Sequence, residues 1–201
     1  SSINPDDATY KYLLRDYYIK TAYNCCSGGE FKNDYVNICA LKTCISQGAR
    51  VLDFEIYSID NVPVVATSSV DNYKVKQTYN QIYLEEALQV VNNYAFSGGS
   101  CPNPNDPLIL HFRISSANDK MYKNMADVIY NTIQPRLLDK EYWLANDPWF
   151  TLCRDHVYKC ILFLTYKTST FNRINMGGIA NESIFAIILQ TFNELTNPMR
   201  L

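Results

Sequence analysis

Two spacings of apolar residues recur along the chain and predict strands that alternate with helices. Apolar residues at every third or fourth position are typical of one helix face, and short apolar runs are typical of buried strands. The predicted helices cover residues 30–48, 82–96 and 181–195, with another that ends at 133 after N-cap residues 115–118. The predicted strands cover residues 16–22, 51–57, 63–66, 108–114 and 159–166. This alternation favours right-handed βαβ units and a parallel sheet, either open or closed into a barrel.

Two acidic residues interrupt the apolar pattern of the second predicted strand. Gly48 is typical of the end of a helix, and the strand at residues 51–57 follows with Asp53 and Glu55 one residue apart. Because side chains alternate along a strand, both carboxylates project from one face, roughly 7 Å apart. Such a pair costs free energy unless a cation, a proton or a ligand compensates it. The pattern therefore indicates a site, and the alternative is an edge strand with one wet face.

Composition and charge narrow the classes of protein that fit this pattern. The chain has 201 residues, of which 47% are apolar and 19% charged, the balance of a folded globule. Its net charge is −2, its pI is about 5.7, and no basic stripe is visible, which argues against nucleic acid as a partner. The length suits one large domain or two small ones.

The cysteines and the lengths of the apolar runs indicate which cellular compartment the chain fits. Seven cysteines and two histidines are scattered without the short spacings of a zinc site. An odd, scattered set fits buried thiols in a reducing compartment better than a disulfide framework. The longest strongly apolar run, residues 184–189, is too short to span a bilayer, and no secretion signal is visible. We therefore expect no transmembrane segment and no secretion by a visible signal.

Five segments within residues 15–116 form a recognisable set in their order and spacing: YYIKTAYN, ALKTCISQGARVLDFEIYS, NVPVVATSS, LEEALQVVNNYAF and DPLILHFRISS. Together they resemble the X half of the phosphoinositide-specific phospholipase C catalytic barrel. Residues 159–164 are similar to the next strand of that family. The resemblance implies an α/β fold, a phospholipase C-like TIM (β/α) barrel. We expect a lead-in at 1–11 and the five or six N-terminal β/α units at 12–201.

The length leads us to expect that this barrel is incomplete within the chain. A complete eight-unit barrel typically needs about 250 residues. We expect the barrel to continue in residues missing here, or another chain to cover the gap, because an unpaired sheet edge is usually covered.

The resemblance also assigns site positions, and most of them have changed chemistry. Members of the family cleave phosphodiesters by acid–base catalysis with two histidines, whose positions fall on Tyr23 and Thr67. Eukaryotic members hold calcium with an Asn, a Glu-x-Asp pair and a further Glu. Those positions fall on Asn24, Asp53, Glu55 and Arg113, with the two acid types of the pair exchanged.

The replacements predict that catalysis is lost. Tyr23, with an ordinary pKa of about 10, is a poor base at neutral pH, and the Thr67 hydroxyl cannot shuttle protons. His111 and His156 do not occupy family positions. His111 precedes Arg113 by two residues on one strand, so we expect it on the same face but deeper in the fold. No catalytic residue is expected, and rescue by His111 is the alternative.

Arg113 predicts that calcium is lost as well. Calcium needs several hard oxygen ligands, and a guanidinium group in their midst repels it. Our hypothesis is an internal ion pair between Arg113 and Asp53 or Glu55 that replaces the metal. The alternative is that Arg113 points outwards and pairs with nothing.

These expectations converge on a catalytically impaired phospholipase C-like domain with a structural or protein-interaction role and other protein subunits as partners. Degenerate copies of the domain occur in large DNA viruses, and the Asn- and Tyr-rich composition is compatible with that origin. A virus particle or the cytoplasm is the expected location, and no cofactor is expected.

Two alternatives stay open. One is a module that binds an inositol phosphate or a lipid headgroup, and the other is an active phosphoric diester hydrolase with altered catalytic residues.

Overall fold

A computed structural model of the chain describes residues 12–69, 75–138 and 159–166, the last segment with side chains to residue 162. The strands are β1 Thr21–Ala22, β2 Val51–Ile59, β3 Val62–Val65, β4 Ile82–Tyr83, β5 Leu108–Ile114 and β6 Cys160–Tyr166. The helices are α1 Ile38–Ser46, α2 Leu84–Tyr94 and α3 Asp119–Ile133, with short 3-10 turns at Leu14–Asp16 and Gln134–Arg136. The lead-in, His156, Cys153 and the helix expected at 181–195 lie outside the described residues.

The described strands form one mixed sheet in the order β4-β3-β2-β5-β6, with β1 also paired to β2. Strands β1, β2, β5 and β6 run parallel, whereas β3 is antiparallel to β2 and β4 to β3. The expected wholly parallel sheet is therefore wrong at β3 and β4. Strand β2 has neighbours on both sides, so the alternative of an edge strand with one wet face is also wrong.

A tight turn makes β3 antiparallel. Asp60 and Asn61 connect β2 to β3, and both have positive φ angles of 51° and 67°. Two consecutive left-handed residues are characteristic of the hairpin turn whose twist matches that of the flanking strands. The side chain of Asn118, which also caps α3, donates to Asn61 Oδ1 at 2.8 Å. The turn predicted at these two residues is confirmed, and the hairpin is attached to α3.

Helix α1 is shorter than the sequence predicts, because its first two turns are replaced by a loop. The helix begins after Asn37, whose side chain accepts a hydrogen bond from the backbone of Ala40. Before that, Asn80 forms two hydrogen bonds with the backbone of Val36, at 2.8 and 2.9 Å, and holds residues 27–37 against the segment before β4. The helical spacing of Phe31 and Tyr35 is therefore misleading.

Two other element boundaries differ from the predicted ones, because backbone pairing between strands determines where these elements begin. Only Thr21 and Ala22 of the predicted strand 16–22 pair with β2. Helix α2 begins at Leu84 because Ile82 and Tyr83 pair with β3 instead.

The core lies between the helices and one face of β2 and β5. The side chains on this face of the two strands are fully buried: Leu52, Phe54, Ile56, Leu110, Phe112 and Ile114. They belong to one apolar cluster that also contains residues of all three helices. The rings of Phe54 and Phe112 lie 5.6 Å apart across the two strands. Because side chains alternate, the opposite face carries the polar residues of both strands.

A buried cation, Arg50, stabilises the end of the sheet at which β2 begins. Arg50 is 3% exposed and donates to the backbone oxygens of Ala95, Asp106 and Pro107. Its guanidinium carbon also lies 5.3 Å from the centre of the Phe96 ring. These contacts fix the loop between α2 and β5, with which the chain returns to the sheet.

We predict that Arg50→Met lowers the free energy of unfolding by about 3 kcal/mol, because several buried carbonyl groups lose their donors. Denaturant unfolding measures the change. Arg136→Met is the matched control, since Arg136 also stacks on Phe96 but is partly exposed, and about 1 kcal/mol or less is expected from it. Equal losses in both variants would contradict this role for Arg50.

Candidate functional site

The polar face of the sheet gathers five side chains into one cluster, named here the Arg113 cluster: Tyr23, Asn24, Asp53, Glu55 and Arg113. Strand register explains the meeting. Glu55 on β2 lies directly opposite Arg113 on β5, and Asp53 lies opposite His111. Strand β1 pairs with β2 only as far as Leu52, so the turn that follows β1 leaves the sheet beside Asp53.

Asp53 anchors that turn. The backbone N–H of Asn24 donates to Asp53 Oδ1 at 3.0 Å, and the N–H of Cys25 donates to the Asp53 carbonyl oxygen at 3.0 Å. Asn24 has a positive φ of 45°, which asparagine tolerates better than most residues. Asp53 is only 3% exposed, so its carboxylate depends on these protein donors rather than on water.

The Arg113 guanidinium group lies between the two acids. Its nitrogen atoms contact Asp53 oxygens at 2.9 to 3.2 Å and Glu55 Oε2 at 3.4 Å. A further bond joins Arg113 Nη2 to the Asn24 side-chain oxygen at 2.5 Å. The predicted ion pair is confirmed and includes both acids, and the alternative of an outward, unpaired Arg113 is wrong.

Tyr23 covers the guanidinium group. The centre of its ring lies 4.4 Å from the Arg113 guanidinium carbon, a cation–π geometry. The ring also packs edge-on against Phe31 at 5.6 Å, yet Tyr23 remains 55% exposed. Thr67, the sixth residue of the predicted pocket, follows β3 and donates to the carbonyl oxygen of Phe31 at 3.0 Å. Thr67 therefore connects to the cluster through Phe31.

His111 forms a second contact with Asp53. Its Nδ1 lies 2.7 Å from Asp53 Oδ2, so the imidazole shares the carboxylate with Arg113. The His111 side chain is 29% exposed and that of Arg113 is 13% exposed. The expected common face is confirmed, but the expected deeper position of His111 is wrong.

Tyr57 joins the cluster at its buried end, and no prediction from the sequence included it. Its hydroxyl donates to Glu55 Oε1, and Glu55 is completely buried. Burial and the neighbouring Glu55 carboxylate both raise the pKa of Tyr57, so it stays a neutral donor. Tyr57 follows Glu55 by two residues, and strand alternation alone could have placed it there.

Opposing effects set the pKa values of the central ion pair. Burial by itself raises the pKa of Asp53, but hydrogen bonds from His111, Arg113 and the Asn24 N–H, with the Arg113 charge, hold that pKa below its usual range. Burial by itself lowers the pKa of Arg113, and the hydrogen bonds and charges of Asp53 and Glu55 raise it above its usual value. Each partner therefore stabilises the charged form of the other.

The oxygen atoms of this cluster do not fit a calcium ion. Calcium takes six to eight oxygen ligands, and the resemblance would supply them from these residues. Both Asp53 oxygens, one Glu55 oxygen and the Asn24 side-chain oxygen already accept hydrogen bonds from Arg113. Within the described ranges, no three His, Cys, Asp or Glu side chains are arranged to hold a metal ion. A cationic side chain lies where those ligands converge.

The described residues form part of a phospholipase C-like α/β barrel, which confirms the predicted fold class. The chain is similar to L. pealei PLC21, with 16% identity and a TM-score of 0.62, over 77% of this chain and 19% of that one. S. officinalis PLC21 gives 17% identity and a TM-score of 0.62 over the same shares. A calcium-dependent phosphoinositol-specific phospholipase C from Pseudomonas sp. gives 14% identity and a TM-score of 0.51, over 80% of this chain and 61% of that one.

These similarities concern the fold, because the identities are low. The chain spans less than two thirds of the length of each of these proteins. No protein-family model matches the chain, and no curated protein matches it. None of the helices in the described part of the chain is long and apolar enough to cross a membrane.

The lowered pKa of Asp53 predicts how stability depends on pH. A carboxyl group that titrates lower in the folded state adds stability that is fully present above the unfolded pKa, about 3.9, and is lost as the pH falls through the folded value. Denaturant unfolding between about pH 6 and 2.5 should show a shallower pH dependence in Asp53→Asn than in the wild type.

Asp119→Asn is the control, because Asp119 is an exposed carboxylate at the start of α3. It should keep the wild-type pH dependence. Parallel curves for the wild type and Asp53→Asn would show that Asp53 is not held in its charged form.

Proposed function

We propose that this chain is a non-catalytic phospholipase C-like barrel domain with a structural or protein-interaction role. The observation that supports it best is the Arg113 guanidinium group, which bonds to Asp53, Glu55 and Asn24. In the resemblance these are the calcium positions. A fixed positive side chain offsets part of the negative charge of the two acids and occupies the space between their oxygen atoms, where it would repel a divalent cation.

The two positions that resemble catalytic histidines support the same proposal. Thr67 is 1% exposed, and its hydroxyl donates to the Phe31 carbonyl oxygen. The Tyr23 ring stacks on Arg113. Neither side chain takes up and releases a proton near neutral pH, which acid–base catalysis requires. Loss of two such groups would lower the rate by about 10⁴-fold or more, since each typically contributes about 10²–10⁴-fold.

The surface supports an interaction role. Several tyrosines in the described part of the chain are more than half exposed: Tyr12, Tyr18, Tyr35, Tyr79 and Tyr83. Tyr35 and Tyr79 contact each other, with ring centres 5.2 Å apart. Tyrosine is enriched at protein interfaces because its ring buries apolar area while its hydroxyl stays solvated. Other protein subunits are therefore the proposed partners, and the virus-particle setting stays a prediction of the sequence.

Calcium titration by calorimetry tests the proposal. The wild type should show no calcium binding up to about millimolar concentration. Arg113→Glu should gain binding with a Kd of roughly 10⁻⁴–10⁻³ M, the weak end of natural calcium sites, because it restores an acid where the family has one. Lys120→Glu makes the same charge change on the exposed side of α3 and should gain nothing. Micromolar binding by the wild type would contradict the proposal.

A turnover assay separates this proposal from an active hydrolase. Phosphatidylinositol and glycerophosphodiesters should be cleaved no faster by the wild type than by buffer, with and without calcium. Turnover by the wild type that disappears in Tyr23→Phe would show instead that the Tyr23 hydroxyl is catalytic. A thermal-shift screen with inositol phosphates on the same samples would reveal the headgroup-binding alternative.

A further inference from the structure

Tyr35 and Tyr79 form a ring contact on the surface, although they lie far apart in the sequence. Their ring centres are 5.2 Å apart, and the ring planes are inclined at 51°. Both side chains are more than half exposed, so a reagent in solution reaches them. Neither residue belongs to the Arg113 cluster, so the role proposed for that cluster leaves the contact unexplained.

Backbone hydrogen bonds hold the two tyrosines beside each other. The N–H of Tyr79 donates to the carbonyl oxygen of Asp34 at 3.0 Å. The Asn80 side chain forms two bonds with the backbone of Val36, at 2.8 and 2.9 Å. The residues next to Tyr35 are therefore bonded to Tyr79 and to its neighbour. The backbones stay in place while exposed rings reorient within nanoseconds.

We propose that Tyr35 and Tyr79 form an intramolecular dityrosine cross-link when the chain meets hydrogen peroxide activated by a haem peroxidase. Each phenol loses one electron and one proton and becomes a phenoxyl radical. The two radicals then join through a carbon–carbon bond between ring positions next to the oxygens, and the two displaced ring hydrogens restore the hydroxyl groups. One hydrogen peroxide takes up the two electrons and two protons and becomes two water molecules.

The distance between the rings suits this coupling. A bond between two rings holds their centres about 4.3 Å apart, so the rings need to approach by roughly 1 Å. The inclined planes are compatible with the product, because linked rings twist about a single bond. Reactive groups held side by side react far faster than the same groups on separate molecules. Coupling within one chain is therefore favoured over coupling between chains.

Tyr12 and Tyr17 form another ring contact, but a less suitable one. Their ring centres are 6.4 Å apart, and the planes meet edge-on at 73°. The Tyr17 hydroxyl oxygen is also buried, which shields it from an oxidant in solution. Both distance and access therefore favour Tyr35 with Tyr79.

The cross-link would fasten the loop at residues 27–37 to the segment before β4. Phe31 lies in that loop, packs against the Tyr23 ring and accepts a hydrogen bond from Thr67. A covalent bond at Tyr35 would therefore stabilise the loop that borders the Arg113 cluster.

Tryptic mapping of the full-length chain after treatment with a haem peroxidase and hydrogen peroxide tests the proposal. Cleavage after basic residues leaves Tyr35 as the single tyrosine of peptide 33–42 and places Tyr79 in peptide 77–113, with Tyr83 and Tyr94. In monomer isolated on a reducing, denaturing gel, we expect these peptides to be linked. Their combined mass should be two hydrogen atoms below the sum, and the monomer should show dityrosine fluorescence. Reduction removes any disulfide, so a remaining link is not one.

Phenylalanine variants identify the two residues, because phenylalanine forms no phenoxyl radical. Tyr35→Phe and Tyr79→Phe should each abolish the link. Tyr83→Phe is the matched control, since Tyr83 is similarly exposed and lies in the same peptide as Tyr79, and it should keep the link. The treated wild type should unfold roughly 5–10 °C above the untreated protein, a shift that Tyr79→Phe lacks.

Two results would overturn the proposal. One is treated wild-type monomer in which peptides 33–42 and 77–113 are not linked, including the case of a link found only in dimers; this result stands even if a variant fails to fold. The other is a link that persists in Tyr79→Phe, which would assign the bond to another tyrosine.

Discussion

Two buried carboxylates on one strand face are the constraint on which this part of the fold depends. Asp53 and Glu55 are 3% and 0% exposed, and water cannot solvate them there. Isolated buried charges are too costly to keep, so a compensating cation must lie within hydrogen-bonding distance. Arg113 supplies it from the neighbouring strand, at the register position opposite Glu55. Removing either partner would leave buried charge incompletely compensated, and breaking a buried ion pair typically costs about 3–5 kcal/mol.

The same ion pair connects three parts of the chain. Arg113 belongs to β5, the acids belong to β2, and Asn24 belongs to the turn after β1. Asp53 also holds that turn through the Asn24 backbone, so the guanidinium group helps to fix where β1 ends. The contacts that stabilise this part of the fold are therefore the same contacts that occupy the site. A change that admits a metal ion must also replace the contacts by which Arg113 joins these segments.

The sequence predicted strands and helices correctly where the burial of apolar side chains determines the local structure. The alternation around Asp53 and Glu55 predicted their common face, whereas Arg113 as their cation followed from the resemblance. Helix α3 and strand β5 were also predicted, since continuous apolar runs and an Asn cap are strong local signals. The resemblance placed Arg113 beside the two acids, and the pairing of β2 with β5 that brings them together is in no local pattern.

The errors arose where contacts between distant segments overrode local spacing. Phe31 and Tyr35 have helical spacing, yet their segment forms a loop. Asn80 stabilises that loop by hydrogen bonding to Val36, which lies 44 residues earlier in the chain. His111 shares the expected face but is more exposed than Arg113, because exposure depends on neighbouring segments rather than on strand alternation. Those long-range partners cannot be assigned from one sequence.

A double-mutant cycle on Asp53 and Arg113 tests the central claim most directly. The free energies of unfolding of the wild type, Asp53→Asn, Arg113→Met and the double variant give the coupling between the two side chains. A buried pair that replaces a metal ion predicts a coupling of about 2 kcal/mol or more. A coupling below about 0.5 kcal/mol, the range of independent sites, would contradict the account.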